Sequence, residues 1–290
     1  MSGITMNATF VIKKNSQQII LPDLRLDAGD FAIIKGPNGS GKSTLLKAFL
    51  GNNDYFTVKT GSSLRVQHPL LADLKSDNVF EMKDADSSLF RSLIAYMGQE
   101  ESDSFRTVNE QLRLPTENAL ATLEDHHLLT KAQREEKETL LYQIIKNFRH
   151  RYLDDILKST DVSFFHNPYV NRAKGLSGGQ KKMVSFTSYI IKSMVIGSLL
   201  FVLDEPLNNL DRENKMRVNN LLADLREKNP DIIILIITHC SIFYGINKTI
   251  LLKKNGENCF TAATTAVPET PYQCLQPKEE VENDRYSSFG

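Results

Sequence analysis

An excess of charge of either sign is missing from this 290-residue chain: Lys+Arg and Asp+Glu stand at 35 each. No global field draws it toward nucleic acid or lipid headgroups, and no nucleic-acid partner is expected. Cysteine is scarce. Cys240, Cys259 and Cys274 show neither CxxC spacing nor the even count of a disulfide framework, which reads as reduced, incidental thiols in a cytosolic protein. Long apolar runs are missing as well, since "SLLFVLDEP" and "IIILIIT" fall far below the roughly 18 residues a membrane span requires. The start "MSGITMNATF" lacks the basic and apolar regions of a signal peptide. These absences predict a chain that does not itself cross a membrane but can still work at one. No internal repeat is visible.

What is present is ordinary for a globular protein: 41% apolar and 24% charged residues, enough chain for one large domain or two small ones. "ATFVIKK" and "QQIILPDLRLDAGDFAIIKG" alternate and turn, predicting short strands before a buried strand at Phe31 to Ile34. "KSTLLKAFLG" predicts a helix ending near Gly51. Residues 52 to 99 read as irregular and β-leaning, closing on the short strand "LIAYMG". From 107 to 160 the texture turns helical, with Leu141, Ile144, Ile145, Phe148, Tyr152 and Ile156 on one face. A helix follows 175, then buried strands at Leu199 to Leu203 and Ile232 to Ile237 flank a helix at about 212 to 228. Strands buried on both faces imply a parallel sheet covered by helices, an α/β fold. A last β segment spans roughly 248 to 262. The tail from 263 to 290 is Pro- and acid-rich with little to bury, and disorder is expected there.

The chemistry sits in three stretches. "GPNGSGKST", comprising Gly36, Pro37, Asn38, Gly39, Ser40, Gly41, Lys42, Ser43 and Thr44, fits a phosphate loop between an apolar strand and a helix. Its glycines let backbone N–H groups close around phosphate oxygens, Lys42 reaches the β- and γ-phosphates, and Ser43 offers a hydroxyl to Mg²⁺. "LLFVLDEP" delivers Asp204 and Glu205 at a strand's C-terminal end, where ligands sit on an open α/β sheet. Asp204 suits the Mg²⁺ shell and Glu205 the polarising of an attacking water. "KGLSGGQKKM" reads as a helix N-terminus with bare N–H groups and a hydroxyl, a second phosphate-binding element in the same chain. His239 closes the strand "IIILIITHC", and Gln99 ends "LIAYMGQ"; taken alone, neither residue is informative.

The ordered set "GPNGSGKST", "YMGQ", "LSGGQ", "LLFVLDEP", "NNLD" and "ITH" resembles the ATPase domain of ATP-binding cassette (ABC) proteins over roughly residues 5 to 260. That resemblance implies a P-loop NTPase with a RecA-like core, an N-terminal antiparallel β region and an α-helical subdomain at about 107 to 175, all within residues 1 to 262. It implies ATP and Mg²⁺ as ligands, with Ser43, Gln99 and Asp204 on the metal. Gln99 becomes the Q-loop glutamine; Ser177, Gly178, Gly179 and Gln180 become the signature motif. Glu205 becomes the catalytic base, Asp211 the D-loop aspartate and His239 the switch histidine that senses γ-phosphate. "TVNEQLRL" resembles the segment following the Q-loop in transporter ATPases. Three departures stand out. Where the family often places an aromatic residue that stacks on adenine, this chain reads "FVIKKNSQ", with Lys13 and Lys14 near the usual place and Phe10 early. "KKMVSFTSY" replaces the usual run after the signature, and the spacings from phosphate loop to Q-loop and on to the signature are long.

With one cassette and no span, the resemblance implies the separate ATPase subunit of an ABC transporter. It would work at the cytoplasmic face of the membrane through a transmembrane permease partner. In the family the signature motif closes over nucleotide held by an opposing cassette, so a second cassette, identical or related, is implied. The alternative is a soluble ABC ATPase of an assembly machine, of the iron–sulfur cluster type. Cargo and direction of transport are not readable.

Overall fold

The structure, a computed structural model, describes residues 2–51, 54–74, 76–98, 107–154, 176–239 and 243–267. Ten strands form one mixed sheet. They are β1 (Gly3–Ile12), β2 (Gln18–Asp27), β3 (Phe31–Lys35), β4 (Phe56–Val58), β5 (Ser63–Gln67), β6 (Ile94–Met97), β7 (Leu200–Asp204), β8 (Ile233–Ile237), β9 (Lys248–Lys254) and β10 (Cys259–Ala266). Their order is β4-β1-β2-β10-β9-β3-β8-β7-β6, with β5 also paired to β1. From β9 to β6 every pairing is parallel. The N-terminal strands β1, β2, β4 and β5 pair antiparallel, as expected.

The parallel strands are buried on both faces, and the period of two divides their side chains between two cores. Ala32, Ile34, Leu200, Val202, Leu235 and Ile237 join the cluster that holds Leu45, Leu46 and Phe49 of α1 (Lys42–Phe49). Phe31, Ile33, Phe201, Leu203, Ile234 and Ile236 point the other way. They meet α5 (Gly178–Ile196) and α6 (Arg212–Lys228), whose Phe186, Ile190, Leu221 and Leu225 complete the second cluster. An unbroken run such as "IIILII" is therefore two half-strands of core read alternately, which is why it carries no polar position.

Between β5 and β6 lies α2 (Asp84–Ser92), a helix that the β-leaning reading of residues 52 to 99 did not anticipate. Only Leu89, Phe90 and Ser92 bury there, too few to show a helical period. The helical region opens with α3 (Val108–Asp125), whose Thr107 and Glu110 form a reciprocal capping box at 3.2 and 2.7 Å. In α4 (Lys131–Phe148) and the π turn Arg149–Leu153, Leu141 and Tyr152 are buried, while Ile144, Ile145 and Phe148 pack against the same cluster. Ile156 and residues 155–175 lie outside the described residues, as do 268–290. At the C-terminal end, β10 runs through Ala266, past residue 262, paired antiparallel to β9. Among the described residues no helix is long and apolar enough to cross a membrane.

One buried charge is conspicuous. Lys192, on α5, donates to the Ile94 carbonyl at 2.5 Å, and burial pushes its ammonium down to about 8 from an ordinary 10.5. The unfolded chain therefore holds this proton more tightly than the folded one. Stability contributed by the group rises with pH between about 8 and 10.5, and the charge is a cost below that window. Lys192→Met should raise stability at pH 7 by about 1 kcal/mol, with the gain shrinking toward pH 10. Urea melts at the two pH values check this; a loss at pH 7 would mean that the Ile94 hydrogen bond outweighs the desolvation.

Candidate active site

The phosphate loop joins the end of β3 to α1. Gly39 and Gly41 adopt left-handed backbone, φ 76° and 86°, which glycine takes without steric cost. A Cβ on Gly41 would stand 2.4 Å from Ile19 Cδ1 and 3.1 Å from Ile12 Cδ1, so those side-chain tips would have to shift to admit it. The loop is thus pressed onto the β1–β2 hairpin. Gly41 is the N-cap of α1, no side chain caps the helix, and its first turn contains no acidic residue. The orphan N–H groups and the helix dipole leave a place for an anion. Ser40 is fully buried and its hydroxyl has no protein partner, a polar atom that a phosphate oxygen would satisfy. Lys42 curls back over the loop, donating to the carbonyls of Gly36 at 2.9 Å and Pro37 at 3.0 Å. An ammonium has three donors, so one remains for a ligand inside this ring.

The carboxylates hang from β7. Asp204 and Glu205 are both buried, at 3% and 5% exposure. Glu205 has φ 51°, a strained left-handed conformation for a residue with a side chain, and its N–H donates to the Ile237 carbonyl at 2.9 Å. That bond carries the β7–β8 ladder one residue past the strand and turns the carboxylate toward His239, whose Nε2 lies 3.3 Å from Oε1. Burial holds the Glu205 carboxyl above its ordinary value. The charge and backbone N–H of His239 pull it back down, Asp204 adds upward pressure and Lys42 downward. Because β8 lies between β3 and β7, the loop, His239 and the two acids come together at adjacent strand ends.

The expected signature residues open α5. Ser177 is the N-cap of α5: its hydroxyl accepts from the Gln180 N–H at 3.3 Å, and Gln180 Oε1 accepts from the Ser177 N–H at 2.8 Å. Ser177 and Gly178 are exposed, and a Cβ on Gly178 would meet nothing within 4 Å. Gly179 instead backs onto the Asn209 carbonyl, 3.4 Å from where its Cβ would be. Asp211 caps α6, accepting from Asn214 N–H at 2.7 Å and Nδ2 at 3.0 Å. These capping duties were not part of the sequence reading, although S-x-x-Q ahead of an apolar helix is a local signal for one of them. Gln99 lies outside the described residues. Phe10 is fully buried, edge-to-face with Phe56 and Phe80, so it is not offered to a ligand. Sequence reasoning also missed Lys182, a buried lysine on α5 whose ammonium reaches the Glu205 carbonyl at 3.0 Å.

Among the described residues no three His, Cys, Asp or Glu side chains cluster in a way that could hold a metal. A divalent cation at this site would take few protein ligands and complete its shell from phosphates and water, the usual habit of Mg²⁺. The Ser43 hydroxyl and Asp204 are oxygen donors of the right kind.

The family model described as "ABC transporter" matches residues 22–208 of the 290, more than half the chain. An ABC transporter ATP-binding protein of Clostridium tetani is 29% identical over 82% of this chain, which spans only 44% of that relative. The ABC transporter ATP-binding protein p29 of Mesomycoplasma hyorhinis is 26% identical over 88% of each chain. Among solved structures, a bacterial Atm1-family ABC exporter with ATP bound shares the fold with TM-score 0.60 at 15% identity, covering 90% of this chain and 38% of that one. The family match spans the phosphate loop, the signature motif and the paired acids, and by it the chain belongs to the ABC transporter family as an ATP-binding cassette.

Proposed function

We propose that this chain binds and hydrolyses ATP as one half of a head-to-tail pair of cassettes, and that the pair drives a transmembrane permease at the cytoplasmic face of a membrane. One contrast carries the reading. The phosphate loop, Asp204, Glu205 and His239 share one rim of the sheet, while Ser177 and Gly178 stand exposed on α5, capped by their own motif. A phosphate-binding element turned to solvent fits a role against a nucleotide held by another cassette. The transport role draws on the names of the relatives, which are ATP-binding proteins of ABC transporters.

In this reading the loop N–H groups and Lys42 hold the β- and γ-phosphates, and Ser177 to Gln180 complete the site from the opposing chain. Ser43, Asp204 and Gln99 would hold Mg²⁺, which would supply positive charge against the phosphates. Glu205 accepts a proton from water as that water's oxygen bonds to the γ-phosphorus and the bond to the bridging oxygen breaks, releasing ADP. His239, 3.3 Å from the Glu205 carboxylate, orients it and senses the γ-phosphate. Asp211 sits at the start of α6, beside the surface that would meet the second cassette.

Glu205→Gln should cut turnover by about 10²- to 10⁴-fold, the usual worth of a general base, while ATP still binds and holds the two cassettes together. Light scattering with and without ATP, alongside phosphate release, checks this, and hydrolysis near the parent rate would sink the catalytic assignment. Lys42→Ala should abolish nucleotide binding by titration calorimetry; unchanged affinity would reject the phosphate-loop role.

The pH dependence has a definite sign. A base must be ionised, and burial raises the Glu205 carboxyl above 4.5, so kcat/KM should fall as pH drops through a midpoint above that value. In His239→Ala the midpoint should move higher still, because a group favouring the ionised carboxylate is gone. An acid limb at or below 4.5 would contradict the buried-base account.

A further inference from the structure

The turn that follows β7 is held by a side chain from the signature helix. Lys182 lies on the first turns of α5, is only 6% exposed, and its ammonium donates to the carbonyl of Glu205 at 3.0 Å and of Asn208 at 3.1 Å. The Asn208 N–H in turn donates to the Glu205 carbonyl at 3.3 Å, so the ammonium bridges both ends of one closed turn. Two non-glycine residues in left-handed backbone bracket that turn, Glu205 at its start with φ 51° and Asn209 just after it with φ 63°. Such conformations persist only where the surroundings over-determine them. A buried ammonium donating to two carbonyls is a charge-assisted clamp of that kind. Three residues earlier, Gly179 lies close against the Asn209 carbonyl, so the helix and the turn meet with no layer between them.

We infer that Lys182 is a positioning residue: it fixes the Glu205–Asn208 backbone, and with it the direction of the Glu205 carboxylate and the placing of Asp211. It does so from the helix that carries Ser177 to Gln180, so the signature motif of a chain is mechanically joined to that chain's own Glu205. A shift of α5 when the signature engages a partner's nucleotide therefore moves the backbone under the catalytic base. The inference rests on the catalytic reading of Glu205. It assigns Lys182 no contact with ATP, which separates its effect from that of the phosphate loop.

Lys182→Met keeps the length and removes the donors. It should lower kcat at least tenfold while ATP affinity stays within twofold. Amide exchange in residues 205–210 should quicken at least tenfold, with β8 at 233–237 unchanged. Lys182→Arg, which keeps the charge and donors, should recover part of both losses. Should Met prevent folding, Lys182→Gln, which removes the ammonium and shortens its reach to both carbonyls, should show the same two losses, and turnover within twofold of the parent there would overturn the inference. Turnover within twofold of the parent in the Met variant would overturn the inference. So would exchange that quickens equally in β8, since that marks a general loss of stability. Glu205→Gln is assayed in parallel. Parent-like hydrolysis there would remove the catalytic reading, while the exchange data would still decide whether Lys182 holds the turn.

Discussion

Three parallel strands, β3, β8 and β7, hydrogen-bond in that spatial order although the chain visits them as β3, β7, β8. Insertion of β8 last, between the other two, brings His239 between the phosphate loop and the paired acids. The register is rigid because each strand is buried on both faces, and a one-residue slip would send every side chain to the wrong core. Phe201 would then leave the cluster around α5 and Leu200 would enter it. The site inherits this rigidity: the ladder runs one residue beyond β7, through the Glu205 N–H to the Ile237 carbonyl. Displacement of β8 would take both Glu205 and its histidine neighbour out of place together.

Burial gives the site its electrostatic character. Glu205 is nearly inaccessible, which disfavours its charge, yet the His239 backbone N–H and the nearby Lys42 favour it. The balance leaves a carboxyl somewhat more basic than in water, the useful direction for accepting a proton. Unusual backbone is found beside the same carboxylate. Two left-handed non-glycine positions, Glu205 and Asn209, bracket a turn clamped by Lys182 and backed by Gly179. Among the described residues the other non-glycine positions with positive φ are Ser16, Asp23 and His127, and the N-termini of α3, α4 and α5 are closed by capping boxes at Thr107, Thr130 and Ser177.

Much of this was legible in the sequence because the chemistry demands particular residues at fixed spacing. The phosphate loop needs small residues where backbone must turn left-handed, and the glycines at 39 and 41 announce it. The buried strands announce themselves by their unbroken apolar composition. What could not be read is what depends on contacts remote in sequence. Nothing local shows that Ile12 and Ile19 crowd the space beside Gly41. Lys182 looked like one more basic residue after the signature, since its role is set by carbonyls 23 and 26 residues away. The helix α2 was missed because "DADSSLFRS" buries too few apolar residues to show a period. Phe10, which stands early of the family's usual adenine-stacking place, is core, locked against Phe56 and Phe80.

The proposed mechanism turns on whether the signature motif serves the nucleotide of another chain, and subunit mixing tests this most directly. Lys42→Ala disables the phosphate loop and keeps the signature; Ser177→Arg does the reverse. Each variant alone should be inactive. Mixed in equal amounts, with mixed pairs confirmed by differential tagging, they should regain about a quarter of parental hydrolysis. Half of the pairs would then be mixed, and each would hold one intact site of two. Mixed pairs that form yet show no hydrolysis would contradict a site shared between chains, and so would a Ser177→Arg variant that hydrolyses ATP at the parental rate on its own.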